Sequence, residues 1–325
     1  MTSMRIVDCA EPGGPEVLVP GEREKPAPGP GEVLIAVAAA GVNGPDLVQR
    51  RGHYPPPEGA SDLLGLEVSG TVAELGEGVT GWAVGDQVCA LTNGGGYAEF
   101  VAVDAGHVLP VPEGVSLEDA GGLCETYFTV WSNVFHGHEV PEGARFLVHG
   151  GAGGIGSTAV QLGAALGLEV LTTVGAPDEA EFAVELGAAR AINFRREDFV
   201  EVVREAGGAD IILDIIGGDY IARNFKAARH DARIIQLAFN AGSKVEINLM
   251  PIMLKRLNYT GSTLRSRAPA FKAAVAAALR KNVWPLFAAG RLRPVTHKIL
   301  SLDQAAEAHA LMEAATHRGK ILLKP

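Results

Sequence analysis

Gly150-Gly151-Ala152-Gly153-Gly154-Ile155-Gly156 lies between the apolar run Phe146-Leu147-Val148 and the helix-forming run from Ser157 to Leu166. It reads as a strand, a turn that needs glycine, and a helix start. Gly151, Gly153 and Gly156 satisfy G-x-G-x-x-G. In that pattern one glycine makes the tight turn, one lets backbone approach a pyrophosphate, and one lets helix and strand touch. The helix N-terminus adds unpaired N–H groups and a positive dipole end, which suits phosphate. A plain glycine-rich connection is the bland alternative, and the strand-before, helix-after setting argues for a dinucleotide site.

Downstream of this turn, strand and helix alternate. Strands are expected at Glu169 to Val174, Ala191 to Asn193, Ile211 to Ile215 and Arg233 to Phe239. The helices between them run Glu179 to Leu186, Asp198 to Glu205 and Tyr220 to Ala228. Repeated βα units with short links predict an α/β fold with a doubly wound parallel sheet. Its ligand is expected at the C-terminal strand ends, near Gly150, Val174, Gly217 and Phe239. Upstream, from Arg5 to about Ala120, short β runs alternate with Gly and Pro turns, the pattern of a β-rich domain. The tail, with a helix from Leu302 to Ala315 and a strand from Lys320 to Leu323, has no place in the nucleotide sheet and is expected to return to the first domain. The expected division is therefore 1–120 with 265–325, and 121–264.

A chain of 325 residues has room for two cores. With 47% hydrophobic and 20% charged residues it reads as a soluble globular protein. No apolar run approaches the ~20 residues of a membrane helix. A formal charge of -10 argues against nucleic acid as a partner. Cys9, Cys89 and Cys124 lack C-x-x-C spacing, which argues against a disulfide framework and a zinc cluster and fits a cytoplasmic location. The N-terminal stretch carries charge too early for a signal peptide.

Several phrases in a fixed order resemble the zinc-less quinone oxidoreductases of the medium-chain dehydrogenase/reductase superfamily, and within it the branch that includes the p53-inducible quinone reductase. They are Ala40-Gly41-Val42-Asn43-Gly44-Pro45-Asp46, Gly52-His53-Tyr54-Pro55-Pro56-Pro57, Gly65-Leu66-Glu67-Val68-Ser69-Gly70, Val84-Gly85-Asp86-Gln87-Val88, Gly94-Gly95-Gly96-Tyr97-Ala98-Glu99-Phe100, the glycine turn, Gly261-Ser262-Thr263-Leu264-Arg265-Ser266-Arg267 and Gly319-Lys320-Ile321. The resemblance implies a GroES-like β-rich domain in two pieces flanking a Rossmann domain. It also implies NADPH or NADH as cofactor, a quinone or enone as substrate, and a homodimer formed by edge pairing near Ala232 to Phe239. Zinc enzymes of the superfamily carry a Cys ligand where this chain has Asn43, and a Gly-His-Glu phrase where it has Gly65-Leu66-Glu67. Asn, Leu and a lone Glu do not make a zinc site, so no metal is expected.

The resemblance assigns Asn43 and Tyr54 to catalysis. It assigns Asn43, Thr129, Gly151, Ala152, Gly153, Gly154, Ile155, Gly175, Ala176, Phe194, Gly217, Ala238, Phe239, Leu264, Arg265 and Lys320 to the cofactor. Against these stand bland readings: a turn residue for Asn43, a packed ring for Tyr54, a local ion pair for Asp46 and Arg50 at i, i+4, surface cations for Arg265 and Lys320. The nine histidines show no ligand spacing and read as surface or packing residues. At the 2′ position of the ribose the chain carries Ala176, Glu179 and Phe194, where NADPH-using relatives carry Ser, Lys and Tyr. A carboxylate there weakens the preference for a 2′-phosphate. The alternatives to quinone reduction are an enone or enoyl-thioester reductase and a non-catalytic, crystallin-like NAD(P)H-binding protein.

Overall fold

The computed structural model describes residues 2–325, which form two compact units: 2–128 with 265–325, and 129–264. The first crossing falls after Phe128 rather than at residue 120. Gly121 lies so close to Ala39 that a Cβ on it would stand 2.8 Å from the Ala39 Cβ, which ties this stretch to the first unit.

In the discontinuous unit, a sheet has the strand order Thr296–Ser301, Lys320–Lys324, Glu32–Gly41, Glu67–Leu75, Gln87–Leu91 and Val108–Pro110, with Phe100–Asp104 also paired to Glu32–Gly41. Val33, Ile35, Val68, Val72, Val88, Val101, Val103, Ile321 and Leu323 fill its core. The tail strand Lys320–Lys324 runs antiparallel to Glu32–Gly41, with Leu322 opposite Gly41. That register brings Lys320 beside the turn at Val42 and Asn43.

The contiguous unit holds a six-stranded sheet in the order Arg190–Asn193, Glu169–Val174, Arg145–His149, Ala209–Asp214, Ala228–Gln236, Asn258–Gly261. Every pairing in it is parallel. This is the doubly wound order, with its switch point between Arg145–His149 and Ala209–Asp214. Leu147, Leu171, Ile192, Phe199, Ile212, Phe225 and Ile234 form its core.

The sixth strand is absent from the sequence reading. Asn258–Gly261 is four residues long and exposed throughout, so it carries neither an apolar run nor an alternation to betray it. It covers Ala228–Gln236, so the expected dimer edge near Ala232 to Phe239 is an interior strand, and the open edge belongs to Asn258–Gly261. No helix among the described residues is long and apolar enough to cross a membrane.

Candidate functional site

In the contiguous unit the strand Arg145–His149 ends in the glycine turn and the helix Gly154–Ala165 begins. The three fingerprint glycines do different work. A Cβ on Gly151 would stand 2.2 Å from the Thr172 Oγ1, and one on Gly156 would stand 2.0 Å from the Gly150 carbonyl oxygen, so both are fixed by internal packing. Gly150 itself has φ +76, which favours glycine. Gly153 is different: its φ is -74, and a Cβ there would meet nothing nearer than the Gly150 oxygen at 3.8 Å. Free space above Gly153, at a helix N-terminus whose first N–H groups have no carbonyl one turn back, is what a phosphate needs. Gly153, Gly154 and Ile155 are also partly exposed, as is Gly150, while Gly151, Ala152 and Gly156 are buried. The residues present fit a dinucleotide.

The neighbouring strand ends complete the rim. Gly175 packs against the half-exposed Phe194 ring, which a Cβ on Gly175 would approach to 3.2 Å, and Ala176 caps the next helix. Glu179 turns back so that its Oε2 accepts the Gly175 N–H at 2.7 Å, which holds a carboxylate at the end of the second strand. Gly217, with φ +68, lies against Phe239, and Ala238 accepts a hydrogen bond from the Gln236 amide at 2.6 Å. Leu264 is buried at the end of this unit. Thr129 is partly buried in its opening turn, where its carbonyl accepts from the Asn133 amide at 2.9 Å.

The discontinuous unit holds a buried polar cluster around Asn43. The Asn43 Nδ2 donates to the Glu67 Oε1 at 2.9 Å and to the Gly41 carbonyl at 3.2 Å, and its Oδ1 accepts from the Lys320 ammonium at 2.5 Å. Lys320 also donates to Glu67 at 2.7 Å and to the Val42 carbonyl at 3.2 Å. Gly41 is glycine because a Cβ there would stand 2.1 Å from the Glu67 Oε1. Asp46 holds the turn, accepting the Asn43 N–H at 2.8 Å and the Gly65 N–H at 3.0 Å. Burial outweighs those bonds and raises the Asp46 pKa to about 6.

The expected pair of Asp46 with Arg50 does not form. Arg50 is buried and turns instead to Glu313 and to the His309 Nδ1, the latter at 3.2 Å, while the His309 Nε2 meets the Tyr97 hydroxyl at 3.0 Å. Burial, reinforced by Arg50, lowers the His309 pKa to about 3, so this ring is neutral and packed. Lys320 is no surface cation: its ammonium is committed to protein acceptors. Arg265 is equally internal, donating to the Asn93 carbonyl at 2.6 Å and to the Gln49 Oε1 at 2.7 Å beneath the Tyr54 ring, whose centroid is 5.5 Å away.

Glu125 has no assignment from the sequence. Its N–H donates to the Glu67 Oε2 at 2.8 Å, so it stands beside a carboxylate whose cation is already taken. Burial, then the neighbouring Glu67, raises its pKa to about 8. It also bears electrostatically on the half-buried Tyr54, whose pKa is raised by burial first and Glu125 second.

The donor set around Asn43 does not suit zinc. Leu66 offers no ligand atom, Asn43 is a poor one, and Glu67 is occupied by an ammonium and an amide. Among the described residues no group of three or more His, Cys, Asp or Glu is placed to hold a metal ion.

Residues 29–113 match the family described as alcohol dehydrogenase GroES-like domain, and residues 154–280 match zinc-binding dehydrogenase. The quinone oxidoreductase of Lama guanicoe is 30% identical, over 98% of this chain and 97% of its own. The solved Escherichia coli quinone oxidoreductase complexed with NADPH is 27% identical with a TM-score of 0.85, covering 100% of both chains. The CurK enoyl reductase is 25% identical with a TM-score of 0.86, covering 100% of this chain and 99% of that one. A GroES-like β-rich unit in two pieces, a doubly wound nucleotide unit and this full-length similarity together make the chain a member of the quinone oxidoreductase family of the medium-chain dehydrogenase/reductase superfamily.

Proposed function

We propose that this protein is an NAD(P)H-dependent reductase of quinones and related conjugated carbonyls that needs no metal. The observation that carries the reading is the open backbone at Gly153 beside two glycines fixed by packing, in a chain similar over its whole length to quinone oxidoreductases. A bound nicotinamide supplies hydride. The substrate then needs one proton to become the hydroquinone, and its oxygens need hydrogen-bond donors. Tyr54 is assigned that donor role. Asn43 has both amide hydrogens committed, to Glu67 and to the Gly41 carbonyl, so its part is to brace the turn, held by Lys320 through its amide oxygen and by Asp46 through its backbone. The Glu125 carboxyl, with a pKa of about 8, holds a proton at neutral pH and is the group assigned to deliver it to the substrate oxygen. The Gly151 to Ile155 backbone is assigned to the pyrophosphate, Gly175, Ala176 and Phe194 to the adenosine ribose, and Thr129, Gly217, Ala238, Phe239 and Leu264 to the rest of the cofactor. Arg265 and Lys320 serve the site by fixing Tyr54 and Asn43.

Glu179, held on the Gly175 N–H, opposes a 2′-phosphate, so NADH is used well. The test is a panel of quinones, enones and enoyl thioesters run with NADH and NADPH. Quinone turnover is expected with an NADPH advantage below about a hundredfold in kcat/KM. A larger advantage removes the Glu179 argument, turnover of enoyl thioesters alone selects the alternative suggested by the CurK likeness, and no turnover with retained cofactor binding selects a non-catalytic role. In the same assay kcat falls as pH rises through about 8, because Glu125 loses its proton, and that limb disappears in Glu125→Gln.

We also place a homodimer contact at the open strand Asn258–Gly261. Tyr259 on this strand and Leu249, Met250, Met253 and Leu254 just before it in the chain are exposed apolar side chains, with Met253 68% exposed. A monomeric mass in sedimentation of the same sample would overturn this. A cytoplasmic setting agrees with three free thiols.

A further inference from the structure

His149 is the last residue of the strand Arg145–His149, and only 1% of it is exposed. Its two ring nitrogens have different partners. The Nε2 faces the Asn224 Oδ1 at 2.7 Å, and the Nδ1 faces the Thr173 hydroxyl at 3.0 Å. Thr173, Asn224 and Asp214 are all buried.

The directions of these bonds follow from one end. The Asp214 carboxylate is an acceptor, taking the Ile216 N–H at 2.6 Å and the Gly217 N–H at 3.0 Å on Oδ1, and the Asn224 Nδ2 at 2.8 Å on Oδ2. The Asn224 amide oxygen therefore points at His149 and can only accept, so the hydrogen sits on Nε2. The Nδ1 is then bare and accepts the Thr173 hydroxyl. The Thr173 Oγ1 in turn accepts the Gly150 N–H at 3.3 Å, and the Thr173 carbonyl accepts from Gly150 and Gly151 at 3.1 Å each. Donor-to-acceptor order thus runs one way from the glycine turn to the Asp214 carboxylate, which the Gly217 loop meets from its other side with the Ile216 and Gly217 N–H groups. These two loops follow adjacent parallel strands at the switch point of the sheet.

We propose that His149 is a positioning residue for the cofactor: its neutral Nε2–H tautomer locks the glycine turn and the Gly217 loop into one setting, and dinucleotide affinity depends on that lock. The inference rests on the cofactor reading given above. The ring is enclosed by Phe199 and Tyr220, each with its centroid 4.8 Å away, and the charged groups facing it are Asp214 and Arg223. Burial lowers its pKa below the ordinary 6.5, Asp214 and Asn224 oppose that shift, and Arg223 adds to it. The ring therefore stays neutral above pH 6.5. Protonating Nδ1 at lower pH reverses its link to Thr173.

The experiment measures Kd for NADH by fluorescence titration, with melting temperature, for the wild type, His149→Phe, Thr173→Val, the double variant and Phe199→Leu. NADH is used because it lacks the titrating 2′-phosphate. Phenylalanine keeps the ring packing and removes both links. The expected result is a weakening of about tenfold or more in His149→Phe, with kcat at saturating cofactor within about threefold. The double variant should be no worse than its weaker-binding parent, because the two substitutions cut one chain. Phe199→Leu loosens the same pocket and should lower the melting temperature without changing Kd. Wild-type affinity should fall at acid pH, below the ordinary imidazole range because burial lowers the His149 pKa, and the fall should be absent in His149→Phe. A Kd within about twofold of wild type in the folded His149→Phe and Thr173→Val proteins, or an equal loss in Phe199→Leu, overturns the proposal. If the wild type binds neither NADH nor NADPH, the cofactor reading fails with it.

Discussion

Gly153→Val abolishes dinucleotide binding and leaves the protein folded. The free protein has room for a Cβ, which at this position meets only the Gly150 oxygen at 3.8 Å, and φ of -74 suits any residue. The cost to the fold is that of a poorer helix cap, about 1 kcal/mol. A pyrophosphate has no such tolerance, because the isopropyl group occupies the volume through which its oxygens reach the helix N–H groups. Affinity should drop at least about a hundredfold, near 2.8 kcal/mol. The comparison with Gly156→Ala sharpens this. There the added methyl would stand 2.0 Å from the Gly150 oxygen, so both stability and binding should suffer. Titration of either nicotinamide with a parallel melting curve separates the two behaviours. A Gly153→Val protein that binds cofactor as the wild type does would sink the assignment of the turn.

The second large effect concerns stability. Lys320→Met leaves Glu67, which is fully buried, without its cation, and leaves the Asn43 oxygen without its donor. Breaking a buried pair from one side costs about 3 to 5 kcal/mol. For a unit of this size that is a loss of roughly 10 °C in melting temperature. The double variant Lys320→Met with Glu67→Gln should recover part of the loss, because no uncompensated charge remains. Additive losses in the double-mutant cycle would show that the two side chains do not act as a pair.

The glycine turn and the strands around it were legible because their physics is local. A tight turn, a helix start and an apolar run announce themselves within a dozen residues. Glu169–Val174 was readable to the residue for the same reason. The cluster at Asn43 was not. Its partners Glu67 and Lys320 come from distant parts of the chain, and only the antiparallel register of the tail strand brings them together. Spacing misled at Asp46 and Arg50. The i, i+4 rule assumes exposed side chains free to meet, whereas Asp46 is drawn to backbone N–H groups and Arg50 to Glu313. His149 had only its place ahead of the turn as a signal, and Asn224 and Asp214 had none.

The discontinuity of the first unit sets an order on synthesis. Residues 129–264 are contiguous and have a core of their own, so the nucleotide unit can fold while the tail is still being made. Glu67 and Asn43 are by then long translated, but the ammonium that neutralises Glu67 and donates to Asn43 arrives with Lys320, after the nucleotide unit. Until then the nascent chain holds a carboxylate that cannot be buried cheaply, so the first sheet stays open at Glu67. The strand Lys320–Lys324 therefore acts as a latch that is translated only after the nucleotide unit. A chain clipped before Lys320 would present a finished nucleotide unit on an unfinished partner, which makes it a substrate for proteolysis rather than a slow enzyme.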